Sequence, residues 1–189
     1  MTKSILLVGV GGQGTILASK LLTIGLMESG YDVKMSEIHG MSQRGGSVSS
    51  QIRYGEKVYS PVIELGGADL MVSFEQMEAL RWLEYLRPEG KIIVNDYRIN
   101  PMPVVSAKAA YPDGIFEELS SNVPTKIVDA AAEAAKLGNP KVMNIIMLGA
   151  TTEQIDLMDV DWSGIIRQNV KPTFVDVNVS ALQRGQDLV

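Results

Sequence analysis

Gly9, Gly11 and Gly14 stand at G-x-G-x-x-G spacing in the stretch VGVGGQG, and the chemistry such a spacing serves is the binding of a phosphate or pyrophosphate. Glycine permits positive φ in the turn, lets an anion approach the backbone, and leaves the first N–H groups of the next helix free to donate to it. The additional Gly12 and the polar Gln13 make the loop more open than packing alone requires. A tight turn that binds nothing is the alternative. Glu37 follows 23 positions after Gly14, about where dinucleotide enzymes hold the acid that bonds the adenosine ribose. The residues after it fit that picture less well. In SEIHGMSQRGGSV, His39, Ser42, Gln43 and Arg44 crowd between Gly40 and the pair Gly45 and Gly46. So polar a cluster, bracketed by glycines, suits a loop that presents side chains to a ligand or to a partner's active site. Arg44 is its natural phosphate or carboxylate contact, because a guanidinium binds such groups bidentately. A solvated charge pair is the plainer reading of Glu37 and Arg44, and a loop histidine bonded to backbone that of His39.

The elements that position these groups read as α/β. The run SILLVG is apolar on both faces and ends in glycine, as a strand inside a parallel sheet does. TILASKLLTIGLMES puts Leu17, Leu21 and Ile24 at helical spacing until Gly30 stops it. In YDVKMSE, Tyr31, Val33 and Met35 alternate with polar residues and are expected to point inward. GGSVSSQIRYGEKVYSPVI predicts an inserted β-hairpin about the YGEK turn. ADLMVSFE, GKIIVND and VPTKIVDA predict further strands; QMEALRWLEYLRP, with Met77, Leu80, Leu83 and Leu86 on one face, DAAAEAAKLG and KVMNIIMLGATTEQI predict helices. NPMPVV reads as a loop. Residues 173–180 read equally as strand or helix: Val175, Val177 and Val179 alternate as in a strand, while Val177, Ala181 and Arg184 could equally ride a terminal helix. A Rossmann-like, mostly parallel sheet flanked by helices is the expected fold, with residues 1–189 forming a single domain.

Composition narrows the function. A net charge of −5 with scattered Lys and Arg argues against a nucleic-acid surface. No run approaches the roughly 18 apolar residues of a membrane span, and MTKSILLVGV carries no signal-peptide cleavage site, so a cytoplasmic protein is expected. With no Cys and one His, the chain offers no thiolate for an iron–sulfur cluster, and no metal site is expected. Ser73, Glu75, Asn95 and Asp96 lie at the same predicted sheet edge as the glycine turn, where capping competes with ligand contact as their role. Asn144, polar in an apolar helix, is expected to be a buried amide bonded to a neighbouring loop or to a partner.

GVGGQG, then SEIHGMSQRGGSV, then ADLMVSFEQMEALR resembles the beta subunit of indolepyruvate:ferredoxin oxidoreductase, the gamma component of the wider 2-oxoacid:ferredoxin oxidoreductase superfamily. The resemblance spans essentially the whole chain. GGQG is shared across that superfamily, while SEIHGMSQRGGSV marks the indolepyruvate branch. It implies a subunit, inactive alone, of an enzyme that converts an aryl 2-oxoacid and coenzyme A into an acyl-coenzyme A, carbon dioxide and electrons for ferredoxin. Thiamine diphosphate and the iron–sulfur clusters would sit on a large alpha subunit, which would also meet the ferredoxin. On this reading Glu37, His39 and Arg44 help to complete the active site, while Gly9, Gly11, Gly12, Gln13, Gly14, Ser42, Gln43, Gly45 and Gly46 line a coenzyme site. A free-standing Rossmann-type protein binding NAD(P) or another nucleotide is the competing reading, and a scaffold whose glycine loop binds nothing is a third.

Overall fold

A computed structural model of the chain describes residues 2–40 and 45–189. Its frame is a six-stranded sheet of β1 (Lys3–Val10), β2 (Asp32–His39), β3 (Ser47–Gly55), β4 (Ala68–Ser73), β5 (Leu86–Asn95) and β6 (Thr125–Val128), in the order β2-β3-β1-β4-β5-β6. β1, β4, β5 and β6 pair in parallel, and β3 runs antiparallel to both β1 and β2. Residues of β1 alternate between two cores. Ile5 and Leu7 pack with α1 (Thr15–Glu28), and Leu6 and Val8 pack on the other face. The first face also takes α5 (Ala130–Lys136), α6 (Met143–Gln154), α7 (Trp162–Asn169) and α8 (Val175–Gln186). The second takes α2 (Gln76–Arg81) and α4 (Ile115–Asn122), while α3 (Met102–Val105) is a single turn. No helix among the described residues is long and apolar enough to cross a membrane.

Several expectations need correcting. The antiparallel insertion is present, but its arms are β2 and β3; the stretch after YGEK is no strand. Both edges of β3 are already taken by β1 and β2, so a second arm there has no backbone left to pair with. That segment turns instead under the sheet, where Ile63 is buried and its N–H donates to Gln51 Oε1 at 2.7 Å. The helix through Leu86 stops at Arg81; Leu83–Tyr85 form a 3₁₀ turn and Leu86 begins β5. Met35 faces α1 but stays 38% exposed, and Tyr31 41%, because β2 is an edge strand. NPMPVV contains α3.

The tail is helical. Ala181, Leu182 and Gly185 of α8 lie against α6, where Gly149 faces the Leu182 carbonyl and Gly185 the Ile146 carbonyl. A side chain at either glycine would overlap backbone, so this close crossing, which valine alternation cannot encode, selects the helix.

Candidate functional site

β1 delivers the glycine turn to the carboxyl edge of the sheet, and α1 begins directly after it. Gly12 (φ 101°) and Gly14 (φ 80°) occupy the left-handed region, which is open to glycine without strain. Gly14 is the N-cap of α1 and provides no side-chain cap, so the helix start is left open to an acceptor. Two backbone bonds continue the β1–β3 ladder past Val10: Gly11 N–H donates to the Gly46 carbonyl at 2.8 Å, and Gly45 N–H to the Gly11 carbonyl at 3.3 Å. The two glycine motifs, far apart in sequence, thus form one piece of structure. Beside them opens a cleft of about 450 Å³ lined by Gly11, Gly12, Gly14, Thr15, Ile16, His39 and Val48. Its walls are mostly backbone and aliphatic, with the exposed His39 imidazole as the one titratable side chain among the described lining residues.

Not every expected residue faces this cleft. Gln13 is buried, with its amide turned inward: Oε1 accepts from Val10 N–H at 2.7 Å and Nε2 donates to the Phe74 carbonyl at 2.7 Å. It fastens the turn to the end of β4, with both ends of its amide engaged by backbone. Gly9 is packed under it, where a Cβ would lie 2.9 Å from Gln13 Oε1 and 3.0 Å from the Phe74 Cβ. Glu37 lies on the α1 side of β2 and accepts from Ser19 Oγ at 2.9 Å, so one of its oxygens is engaged by the helix. Ser42, Gln43 and Arg44 lie outside the described residues. Of the expected site residues, then, the structure brings Gly11, Gly12, Gly14 and His39 together, with Gly45 and Gly46 fastened behind them. Thr15, Ile16 and Val48 complete the lining and were not singled out from sequence. Ile16 carried a signal, since an apolar residue in the first turn of α1 that lies off the core stripe must face something else; it is 52% exposed.

The neighbouring strand ends are scaffolding. Glu75 is wholly buried and N-caps α2: its Oε2 accepts from Glu78 N–H at 2.9 Å, and its Oε1 from Ile99 N–H at 3.1 Å and from Tyr111 Oη at 2.5 Å. Burial and this carboxylate push the Tyr111 phenol well above its ordinary value. Asn95 ties β5 to β4 and to α5, donating to the Phe74 carbonyl at 3.2 Å and accepting from Ala130 N–H at 3.1 Å. Ser73 Oγ donates to the Glu75 carbonyl at 2.6 Å, and Asp96 accepts from Gln76 Nε2 at 2.6 Å. Asn144 is the buried amide expected: its Nδ2 donates to the Gly14 carbonyl at 3.2 Å, joining the start of α6 to that of α1.

Comparison with known proteins identifies the family. The family model for pyruvate ferredoxin/flavodoxin oxidoreductase matches residues 4–188. Indolepyruvate oxidoreductase subunit IorB of Pyrococcus horikoshii is 37% identical over 96% of this chain and 93% of its own. The 2-oxoglutarate synthase subunit KorC of Methanothermobacter marburgensis is 27% identical over 100% and 97%. Among solved structures, pyruvate oxidoreductase subunit PORC of Thermotoga maritima superposes with TM-score 0.74 at 23% identity, covering 99% of this chain and 96% of its own. The 2-oxoglutarate:ferredoxin oxidoreductase of Magnetococcus marinus, solved with 2-oxoglutarate, coenzyme A and succinyl-CoA bound, superposes with TM-score 0.78 at 16% identity, covering 99% of this chain and 31% of its own. The chain therefore belongs to the pyruvate ferredoxin/flavodoxin oxidoreductase family.

Proposed function

We propose that this chain is the non-thiamine subunit of an indolepyruvate-type 2-oxoacid:ferredoxin oxidoreductase. The assembled enzyme would convert an aryl 2-oxoacid and coenzyme A into an acyl-coenzyme A and carbon dioxide, with the electrons passing to ferredoxin. One observation carries the reading: a phosphate-type glycine turn and His39 share a cleft that is mostly backbone and aliphatic. Such a cleft can bind and orient a ligand but supplies little chemistry.

The residues present fit coenzyme A. Gly11, Gly12, Gly14 and the open start of α1 would hold its pyrophosphate; Ile16 and Val48 offer an apolar wall, and His39 a donor or acceptor at the rim. Coenzyme A, when bound, supplies the thiol that accepts the acyl group. They do not fit the other family cofactors. A chain without cysteine has no thiolate for iron–sulfur clusters. Nor do the described residues contain a group of three or more acidic or His side chains suited to a divalent cation beside thiamine diphosphate. Both cofactors are assigned to the large partner subunit. Arg44 and His39 are proposed to reach that partner's active site, with Arg44 contacting a phosphate or carboxylate.

Anaerobic mixing with a candidate large subunit tests this. Coenzyme A-dependent reduction of a viologen dye with indolepyruvate should appear only in the mixture. A large subunit that is fully active alone would refute the subunit role.

A further inference from the structure

The glycine cleft is held from two sides, and both holds lead to the junction of β4 and α2. Gln13 fastens the glycine turn to the Phe74 carbonyl at the end of β4. Glu78, in the first turn of α2, takes the other side. Its carboxylate is 3% exposed. Oε2 accepts from the hydroxyl of Ser47, the residue that opens β3 directly after Gly45 and Gly46. Trp82 Nε1 donates to both partners, to Ser47 Oγ at 3.2 Å and to Glu78 Oε2 at 3.3 Å, and Arg81 Nε donates to Oε1 at 2.9 Å. Both carboxylate oxygens are therefore engaged.

A buried, paired carboxylate adds little net stability over an apolar side chain of similar volume, so its contribution here is sought in what it aims. Gly45 and Gly46 have no side chains with which to hold a register. A Cβ on Gly45 (φ 79°) would meet nothing within 4 Å, so no packing locks it in place. The seat of this pair against Gly11 rests on two backbone bonds, of 2.8 and 3.3 Å, and on whatever fixes the next residue. That residue is Ser47, and Glu78 fixes it. We propose that Glu78 is a positioning residue of the glycine cleft, acting through Ser47 to keep Gly45 and Gly46 in register with Gly11. Val48, next along β3, lines the cleft itself, so a shift at Ser47 is carried into the wall. The register of the glycine pair stands on this geometry alone; that the cleft so shaped takes coenzyme A rests on the function proposed above.

Amide hydrogen exchange in the full chain, followed by NMR at Gly11 and Gly45, tests the assignment. The variants are Ser47→Ala, Glu78→Ala and Glu78→Gln, with Gly149→Ala as a chain destabilised elsewhere. Glu78→Gln is the conservative rescue: its amide oxygen still accepts from Ser47, and Arg81, with its side chain 52% exposed, can turn to water. Ser47→Ala and Glu78→Ala should speed exchange at Gly11 and Gly45 about tenfold relative to the amides of β4 and β5, whereas Glu78→Gln and Gly149→Ala should leave that ratio near wild type. In the assembled enzyme the same two alanine variants should raise the KM for coenzyme A about threefold or more with kcat nearly unchanged. Exchange that is unaltered at both glycines, or raised equally across the sheet, overturns the positioning role whatever the kinetics. Faster local exchange with an unchanged KM sustains that role and removes coenzyme A from the cleft. A wild-type mixture without activity removes the function proposed above, and the exchange ratio still decides the role of Glu78.

Discussion

Gln13 separates a ligand contact from a structural staple, and substitution can tell them apart. Gln13→Ala removes two buried bonds of 2.7 Å each. The losses are unequal. The Phe74 carbonyl keeps a partner in Asn95 Nδ2 at 3.2 Å, so that side forfeits only the net worth of a bond, about 0.5–1.5 kcal/mol. Val10 N–H loses its side-chain acceptor in a buried position, which costs about 1–3 kcal/mol. Together these give about 1.5–4.5 kcal/mol, to be read as a lower urea midpoint at unchanged slope. Gln13→Glu sharpens the test. Its carboxylate still accepts from Val10, but it places a second oxygen against the Phe74 carbonyl, whereas the protonated acid can donate there. The folded-state pKa of the new carboxyl is therefore raised. Its stabilising form is fully present below the unfolded value of about 4.3 and is lost as pH rises through the folded value. The Glu variant should thus approach wild type in acid and fall behind it near neutrality. A change under about 0.5 kcal/mol in Gln13→Ala, accompanied by lost coenzyme A binding, would refute the staple and make Gln13 a ligand contact.

Gly149→Ala should destabilise by about 1–3 kcal/mol, the usual cost of overpacking, because its Cβ would overlap the Leu182 carbonyl; thermal melts check this, and no shift would mean that α8 can move away freely. Hydrogen bonds from Arg184 and Lys136 hold Glu133 down to about 2. With a depressed folded pKa, its contribution is present above the unfolded value of about 4.3 and is lost as pH falls toward the folded one, so Glu133→Gln should flatten the stability–pH curve in that window. Tyr111→Phe leaves Glu75 Oε1 with Ile99 N–H alone and removes the acceptor of Met77 N–H, and should cost about 1.5–3 kcal/mol in urea denaturation. NADH should show no saturable micromolar binding by fluorescence titration; a micromolar Kd would restore the dinucleotide reading.

What the sequence disclosed follows from what periodicity encodes. Strands buried on both faces announce themselves as short apolar runs, so β1, β4 and β5 were legible; β6, a mostly exposed edge strand, showed only as the short TKIV between Pro124 and Asp129. Pairing is different, because a strand's pattern says which face is buried and nothing about which neighbour it meets. SVSSQIRYG reads as a strand, but no residue in it says that β1 and β2 lie on either side. The stretch 77–86 misleads for a related reason: Met77, Leu80, Leu83 and Leu86 keep helical spacing across the break at Trp82, and the parallel ladder on β4 claims Leu86. Two helices of eight residues each passed unnoticed, although α7 has a legible start in Asp161, whose side chain accepts from Gly164 N–H at 2.9 Å. In the site, glycine spacing exposed the turn but hid the inward amide of Gln13, because a glutamine beside glycines looks alike whether it bonds a ligand or the backbone.

Strand order also explains why a dinucleotide-like motif need not bind a dinucleotide. In a doubly wound dinucleotide fold, the strand bearing the ribose-binding acid lies beside the strand bearing the glycine turn, roughly 5 Å away. Here β3 stands between β1 and β2, which doubles that separation to roughly 10 Å and inserts an antiparallel strand that enters from the ligand edge. Glu37 is thereby carried away from the turn and takes Ser19 of α1 as its partner. The same insertion has a constructive side: it brings Gly45 and Gly46 into register with Gly11, and His39 at the end of β2 into the lining of the cleft. One strand placed out of sequence order therefore removes the ribose acid of a dinucleotide site and ties a second glycine pair to the glycine turn in its place.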